Sequence, residues 1–376
     1  MNENRNLPPA SIVILNYNGK ELLRDCFSSL QNLDYPEELI EIILVDNGSS
    51  DGSIEYIEQY FPGIKIIKKT ENLGFAKGCN IGATFSKSSY IVFLNNDMRV
   101  DENWLKELIL PLMEDKSIGI TSSKILNWDG SKIDYAGAVL SFNGHGYKRG
   151  ENQEPDKYNT PEYCLIPSGG SMAISKKLFL KLGGFDEDYF AYFEDIDLGW
   201  RSWIFGYSVL FVPGSIVYHK KSQTQTKAKI KHVYLLEKNA LCTILKNYDL
   251  KNVIPLFSAS FLLFLYRMQF DKERRNWKSL KERKDVLRYL LKNFIKFLYK
   301  RIYIQNHRKN KDAYIFQYFK TPFCTVVIDY YQDDQKYISE FNRIIEQFKI
   351  RRIFFNNSIT DNTQVMQEKN EMPFKK

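Results

Sequence analysis

The chain has 376 residues, 44% of them apolar, with 26 Phe and 24 Tyr, enough for one large domain with an appendage or for two domains. Its five cysteines, Cys26, Cys79, Cys164, Cys242 and Cys324, show no paired spacing, which argues against a disulfide framework or a zinc site and for a reducing compartment. The net charge of +8 is uneven: residues 267–311 carry 16 Lys/Arg against 4 Asp/Glu, so the remainder is slightly acidic and reads as an ordinary enzyme body beside a basic segment with its own partner.

Met1 to Pro9 is polar and lacks the apolar core of a signal peptide. No apolar run reaches the roughly 18–20 residues of a membrane span. A cytoplasmic protein is expected. Residues 11–15 read as a buried strand, 21–30 as a helix, 40–45 as a second strand and 53–60 as a second helix. Strands at 64–67 and 90–94 flank a helix at 76–85, and a further helix is expected over 101–113. Apolar strands separated by helices predict a mostly parallel sheet covered on both faces, with ligands at the carboxyl ends of the strands. Residues 127–163 are rich in Gly and Pro and are expected to form a surface excursion or lid; regular structure resumes from Cys164 to Val217.

The strand ends carry the candidate chemistry. Asn16-Tyr17-Asn18-Gly19 follows the first strand and Asp46-Asn47-Gly48-Ser49-Ser50-Asp51-Gly52 the second, short polar turns where a nucleobase and ribose could lie. Their alternative role is as turn residues and helix caps. The loop Asn72 to Asn80 opens a helix whose free N–H groups could meet an anion. Asn95-Asn96-Asp97 ends the fourth strand, where a carboxylate could hold Mg²⁺ or Mn²⁺ against diphosphate oxygens, or cap the next helix. Glu194-Asp195-Ile196-Asp197, beside Phe190 to Phe193, places three carboxylates in four residues, suited to a desolvated general base. On a helix Glu194 and Asp197 share a side and Asp195 points elsewhere. The alternative is a charged first turn satisfied by the helix dipole and Arg201. His219 closes an apolar run and would suit a borderline ion such as Mn²⁺.

Taken in order, the stretches 11–18, 44–52, 72–76, 94–97, Gly169-Gly170-Ser171, 183–186, 194–197 and Tyr218-His219 resemble the family 2 glycosyltransferases with the GT-A fold, over about residues 10 to 225. The nearest subgroup by this resemblance is bacterial and rhamnosyltransferase-like, acting in surface polysaccharide assembly. It implies an α/β GT-A fold with a C-terminal helical appendage. It implies nucleotide binding by Asn16, Asn18, Asp46, Asn72, Gly74, Asn80 and Asn95, and a Mn²⁺ or Mg²⁺ site at Asp97 and His219. It implies Asp195 as general base with Glu194 as a second candidate, and an acceptor pocket at Gly169, Gly170, Ser171 and Asp197. Asn95 stands where the family's metal motif has its first Asp, so the metal is expected to bind mainly with the nucleotide. The implied donor is a nucleoside-diphosphate sugar, dTDP-rhamnose first and a UDP-sugar next. The implied acceptor is a glycan or a polyprenyl-diphosphate-linked saccharide.

The expected domains are a catalytic unit over 1–225, with a nucleotide half at about 10–97 and an acceptor half at 98–225, a basic helical region over 226–311, and a small mixed extension over 312–376. Residues 233–247 read as a helix. Residues 253–266 form an apolar run of core or interfacial type. Residues 285–302 form an amphipathic helix with Leu287, Leu290, Leu291, Phe294, Phe297, Leu298 and Ile302 on one side and Arg288, Lys292, Lys296 and Lys300 on the other. These features suit a peripheral position on an anionic membrane, at the inner face of the cell membrane, and not nucleic acid, because the aromatics lie in the apolar side. A strand at 324–329 and a helix at 338–348 are expected after that.

Overall fold

The computed structural model describes residues 7–220, 231–319, 322–323 and 334–355. β1 (Ala10–Asn16), α1 (Lys20–Leu30), β2 (Ile40–Asp46), α2 (Ser53–Tyr60), β3 (Lys65–Lys68), α3 (Phe75–Phe85) and β4 (Tyr90–Asn95) follow the predicted alternation. Strands β3, β2, β1 and β4 lie side by side and parallel. Alternation along β1 sends Ile12 and Ile14 to one side and Val13 to the other. The first side packs on α1 and on α4 (Trp104–Glu114) through Leu23, Phe27, Trp104 and Leu108. Burial on both faces explains why β1 and β2 read as continuous apolar runs.

The chain then leaves the parallel pattern. β5 (Met98–Val100), β6 (Ile118–Asn127), β7 (Ile133–Tyr135), β8 (Ala138–Leu140), β9 (Gly146–Lys148) and β10 (Glu162–Cys164) lead to β11 (Ser171–Ser175), which runs antiparallel between β4 and β6. α5 (Lys176–Leu182) and α6 (Glu194–Ile204) precede β12 (Ser208–His219), parallel to β6. The sheet order is β10-β12-β6-β11-β4-β1-β2-β3. This topology gathers distant residues on one edge. Asn16 pairs with Asp46 and Leu15 with Asn95. Because β11 is antiparallel, its start meets the end of β4, Ser171 opposite Leu94. β12 ends on the same edge, with His219 opposite Met98.

Residues 127–163 are a surface excursion only in their second half, where 151–163 are mostly exposed; the first half is built into the fold. β7 joins the sheet through β6, β8 and β9 form a hairpin, and Ala136, Leu140, Phe142 and His145 are buried. Turn composition misled here because the turns link short strands whose apolar tips face the core.

The C-terminal helices are α7 (His232–Asn247), α8 (Leu250–Glu273), α9 (Trp277–Asn306), α10 (Gln335–Gln347) and α11 (Ile350–Phe355). One apolar cluster runs from Val13 and Phe93 through Trp200 to Leu263, Val286, Phe297 and Phe341, so these helices share a core with the sheet. Their polar counterpart is Glu237 on α7. It accepts from Arg267 of α8 at 2.7 Å and from Arg283 of α9 at 3.1 Å, while Arg267 also donates to Tyr337 of α10. Arg283 pairs in addition with Asp271. Helix α8 spans 24 residues, longer than its apolar run, and is long and apolar enough to cross a membrane. Its buried Arg267, Asn252 and Asp271 are satisfied by the other helices, as in a core helix.

The side of α9 that packs differs from the expected one. Val286, Phe297 and Ile304 are buried together with Glu282, Arg283 and Arg301, whereas Leu291, Phe294 and Ile302 face outward. Lys296 and Lys300 lie against the segment before α6, paired with Asp188 and Asp186. The predicted helix at 338–348 is α10. The strand expected at 324–329 lies outside the described residues.

Candidate active site

Three strand-end loops are tied into one floor. Asn16 is fully buried; its amide donates to Asp46 Oδ1 at 3.2 Å and Ser49 Oγ at 3.1 Å, and its oxygen accepts from Asn96 at 2.8 Å. Asp46, also buried, accepts from the Ser49 N–H at 3.0 Å. Asn18 takes a left-handed backbone (φ 49°) and accepts from the Ser50 N–H at 2.8 Å. Asn47 bridges to the third loop, donating to Asn72 at 2.8 Å and accepting from the Leu73 N–H at 3.0 Å. Asn16 and Asp46 therefore give the cleft its loop shape, while Asn18 and Asn72 are partly open to it.

At the end of β4 the side chains alternate. Asn96 turns inward to Asn16, and Asp97 faces His219, with Oδ2 and Nε2 3.3 Å apart. The other ring nitrogen, Nδ1, lies 2.8 Å from Asp134, a buried carboxylate on β7 that also holds Lys148 at 2.9 Å. Burial opposes charge on the imidazole, but its hydrogen bonds to Asp134 and Asp97 outweigh it and raise the His219 pKa to about 9. Convergent imidazole and carboxylate donors, with the far nitrogen fixed by a second carboxylate, fit a divalent ion such as Mn²⁺. No group of three or more His, Cys, Asp or Glu suited to a metal occurs among the described residues. An ion here would need further oxygens, from water or a bound ligand, to complete its shell.

Sequence reasoning missed Asp134 because it lies in the turn-rich stretch, 85 residues from His219. An Asp134→Asn variant is expected to bind Mn²⁺ about 10- to 100-fold more weakly in the presence of UDP, by calorimetry. In the wild type the imidazolium's ion pairs hold fully below its ordinary pKa and are lost as pH rises through about 9. Mn²⁺ must displace that proton, so its affinity is expected to rise between pH 7 and pH 9. An affinity independent of pH would exclude His219 as a ligand.

The carboxylate cluster opens α6. Glu194 and Asp197 are buried, and Asp195 is half-buried, pointing to the turn before β11. The Gly169 N–H donates to Asp195 Oδ2 at 3.0 Å and the Ile196 N–H to Oδ1 at 2.8 Å. Burial raises the Asp195 pKa, and those two N–H groups only partly offset it. Burial, then the Asp195 charge, pushes Glu194 up well beyond its usual range, and its Oε2 has no hydrogen-bond partner among the described residues. We assign Glu194 the proton and Asp195 the charge. Gly170 joins the two halves of the site: a Cβ there would lie 3.0 Å from the Asn95 amide nitrogen, and its carbonyl accepts from the Asn95 N–H at 2.9 Å.

The segment before α6 is strained. Phe190, Tyr192 and Phe193 all have φ near +70°. Asn239, a second residue the sequence did not signal, reaches in from α7 and donates to the carbonyls of Tyr189, Ala191 and Tyr192 at 3.2, 2.9 and 2.7 Å.

Four expected site residues carry structural contacts. Asn80 bonds both backbone groups of Phe185. Gly74 (φ +85°) is needed because a Cβ would lie 2.6 Å from the Phe190 carbonyl. Ser171 is buried on Trp104 Nε1 at 2.8 Å and Ser123 at 2.7 Å. Asp197 has no exposed surface; it pairs with Arg201 at 2.8 Å and Lys246 at 3.0 Å, which hold its pKa down against the upward push of burial. It organises the interior and meets no acceptor.

The description "Glycosyl transferase family 2" matches residues 11–182. The chain is 30% identical to polypeptide N-acetylgalactosaminyltransferase 11 of Xenopus tropicalis over 57% of its own length and 38% of the relative's. It is 27% identical to the probable glycosyltransferase YdaM of Bacillus subtilis (strain 168), over 58% and 52%. It thus spans less than two thirds of these relatives. A crystal structure of GalNAc-T7 with UDP, GalNAc and Mn²⁺ superposes with a TM-score of 0.55 at 21% identity, covering 77% of this chain and 58% of that one. S. aureus TarS 1-349 in complex with UDP gives 0.50 at 16%, covering 82% and 91%. The fold is the GT-A fold, and residues 11–182 are similar to the glycosyltransferase domain of these relatives.

Proposed function

From a Glycosyl transferase family 2 domain over residues 11–182, we propose that the chain is an inverting glycosyltransferase using a pyrimidine nucleoside-diphosphate sugar. One observation carries this reading. The Gly169-Gly170 turn holds Asp195 by a backbone N–H on one side and abuts Asn95, two residues before Asp97, on the other. A proton acceptor and an anion-facing group thus share one cleft edge.

In the proposed reaction Asp195 takes the proton of an acceptor hydroxyl as its oxygen bonds to the anomeric carbon. The glycosidic bond to the diphosphate breaks on the opposite face, and the nucleoside diphosphate leaves with the electron pair. Asn18, Asp46 and Asn72 shape the nucleoside floor, and Asn95 lies beside the sugar diphosphate. Asp97 and His219 would hold Mn²⁺ or Mg²⁺, which when bound neutralises charge on the departing diphosphate. The neutral Glu194 keeps a second negative charge away from Asp195. The rhamnosyltransferase-like resemblance favours a dTDP-linked 6-deoxyhexose as donor, with a UDP-sugar as the alternative. A glycan or polyprenyl-diphosphate-linked acceptor fits a peripheral position on the inner face of the cell membrane.

Thermal stabilisation by UDP, dTDP and GDP, each with and without Mn²⁺, tests this. A metal-dependent rise with UDP or dTDP and none with GDP is expected. No response to any nucleotide from a folded sample would overturn the reading.

A further inference from the structure

Helix α9 has one side committed to the protein and another that is not what water selects. Outward along its length, at spacings of three, four and seven, lie Lys281, Lys284 and Arg288, then Leu291, Ile295 and Ile302. The first half of this side is basic and the second apolar. Leu291 is 82% exposed, Ile295 62%, Tyr299 70% and Ile302 55%, with Phe294 beside them at 47%. A helix against solvent normally turns polar residues outward, and a contiguous apolar strip of this kind marks an interaction surface.

Charge decides the occupant. The exposed charges along this side, including Lys292, are all positive. Glu282 beside Lys281 is turned into the core, and Asp285 is part-buried and paired with Lys231 and Arg288. Two copies of the chain meeting here antiparallel would bury each basic half under the other's apolar half. Meeting parallel, they would stack like charges. Either arrangement desolvates lysines without partners. An anionic bilayer satisfies both halves at once, with headgroup phosphates over Lys281, Lys284 and Arg288 and the acyl boundary over Leu291, Ile295 and Ile302.

We propose that the outward side of α9, from Lys281 to Ile302, is a monotopic docking surface for an anionic lipid bilayer. This deepens the membrane position proposed above and rests on it, though not on the transfer chemistry. Lys296 and Lys300 are held by Asp188 and Asp186, so docking through α9 would carry the acidic segment just before α6 to a fixed height over the membrane.

The test is co-sedimentation of the full chain with phosphatidylcholine vesicles, with and without phosphatidylglycerol. Binding is expected only with phosphatidylglycerol and should weaken with salt. Leu291→Ser with Ile295→Ser, and separately Lys281→Glu with Lys284→Glu, should each reduce partitioning about tenfold or more. Both pairs are on the surface and should keep the thermal response to nucleotide and Mn²⁺. Failure of a folded wild type to bind, or variants that bind like it, would overturn the proposal. So would a wild-type dimer in light scattering that Leu291→Ser dissociates without any vesicle binding. Vesicle binding without a nucleotide response would keep this surface and sink the transferase reading; the converse would do the reverse.

Discussion

Asp195→Asn should lower turnover by about 10²- to 10⁴-fold while nucleotide and Mn²⁺ binding stay at wild-type values. The substitution keeps the size and one of the two backbone contacts, because the amide NH2 cannot accept the Ile196 N–H that now meets Oδ1. The amide oxygen can still accept the Gly169 N–H that now meets Oδ2 at 3.0 Å. The proton acceptor is lost, along with one local backbone hydrogen bond at the start of α6. Burial raises the Asp195 pKa, so the wild-type rate should rise with pH through a value above the ordinary aspartate range and then level off. That limb should vanish in the variant. Glu194→Gln is the control: with Glu194 neutral in the wild type, its amide replaces an uncharged group, and the rate should fall far less. If Glu194→Gln lost activity and Asp195→Asn kept it, the roles assigned to the two carboxylates would be reversed.

Glu237→Ala should destabilise the protein by about 3–5 kcal/mol in urea unfolding at pH 7. It strands two buried guanidinium groups, Arg267 and Arg283, that meet on one carboxylate between α7, α8 and α9. Burial alone would raise the Glu237 pKa, but the two arginines bring it down to about 2. The folded value is thus depressed. The carboxylate's contribution is fully present above its ordinary range near 4.5 and is lost as pH falls toward 2. The gap between wild type and variant should therefore narrow on acidification. A constant gap from pH 7 to pH 3 would mean that the loss comes from packing. The variant should also turn over more slowly at temperatures where it is still folded. Asn239, two residues after Glu237 on α7, fixes the carbonyls of the strained segment that delivers Asp195.

The regular part of the fold was legible because its cause is local. Strands β1, β2 and β4 are buried on both faces, so each is an apolar run between turns, and the polar residues at their ends mark the cleft edge. The Glu194-Asp195 pair was visible for a similar reason: carboxylates beside aromatics stand out in any sequence. Its division of labour was not visible, since it depends on the Gly169 N–H reaching Asp195 while Glu194 Oε2 has no donor.

Helix α9 shows where periodicity stops being informative. Its apolar residues span more of the helix surface than one neighbour can cover, and its packed side includes Glu282, Arg283 and Arg301. A rule that buries the apolar stripe cannot foresee that buried arginines on α8 and α9 will be satisfied by Glu237 on α7. By itself the sequence determined the alternating α/β order, the strand-end loops and the two acidic clusters, because each follows from composition and spacing within about ten residues. Only the tertiary structure decided that Asp134 orients His219, that Asp197 and Ser171 are interior supports, and that α9 leaves Leu291 and Ile295 in the open. Each of those depends on which distant segment arrives alongside, and an antiparallel β11, with β12 running parallel to β6, sets that.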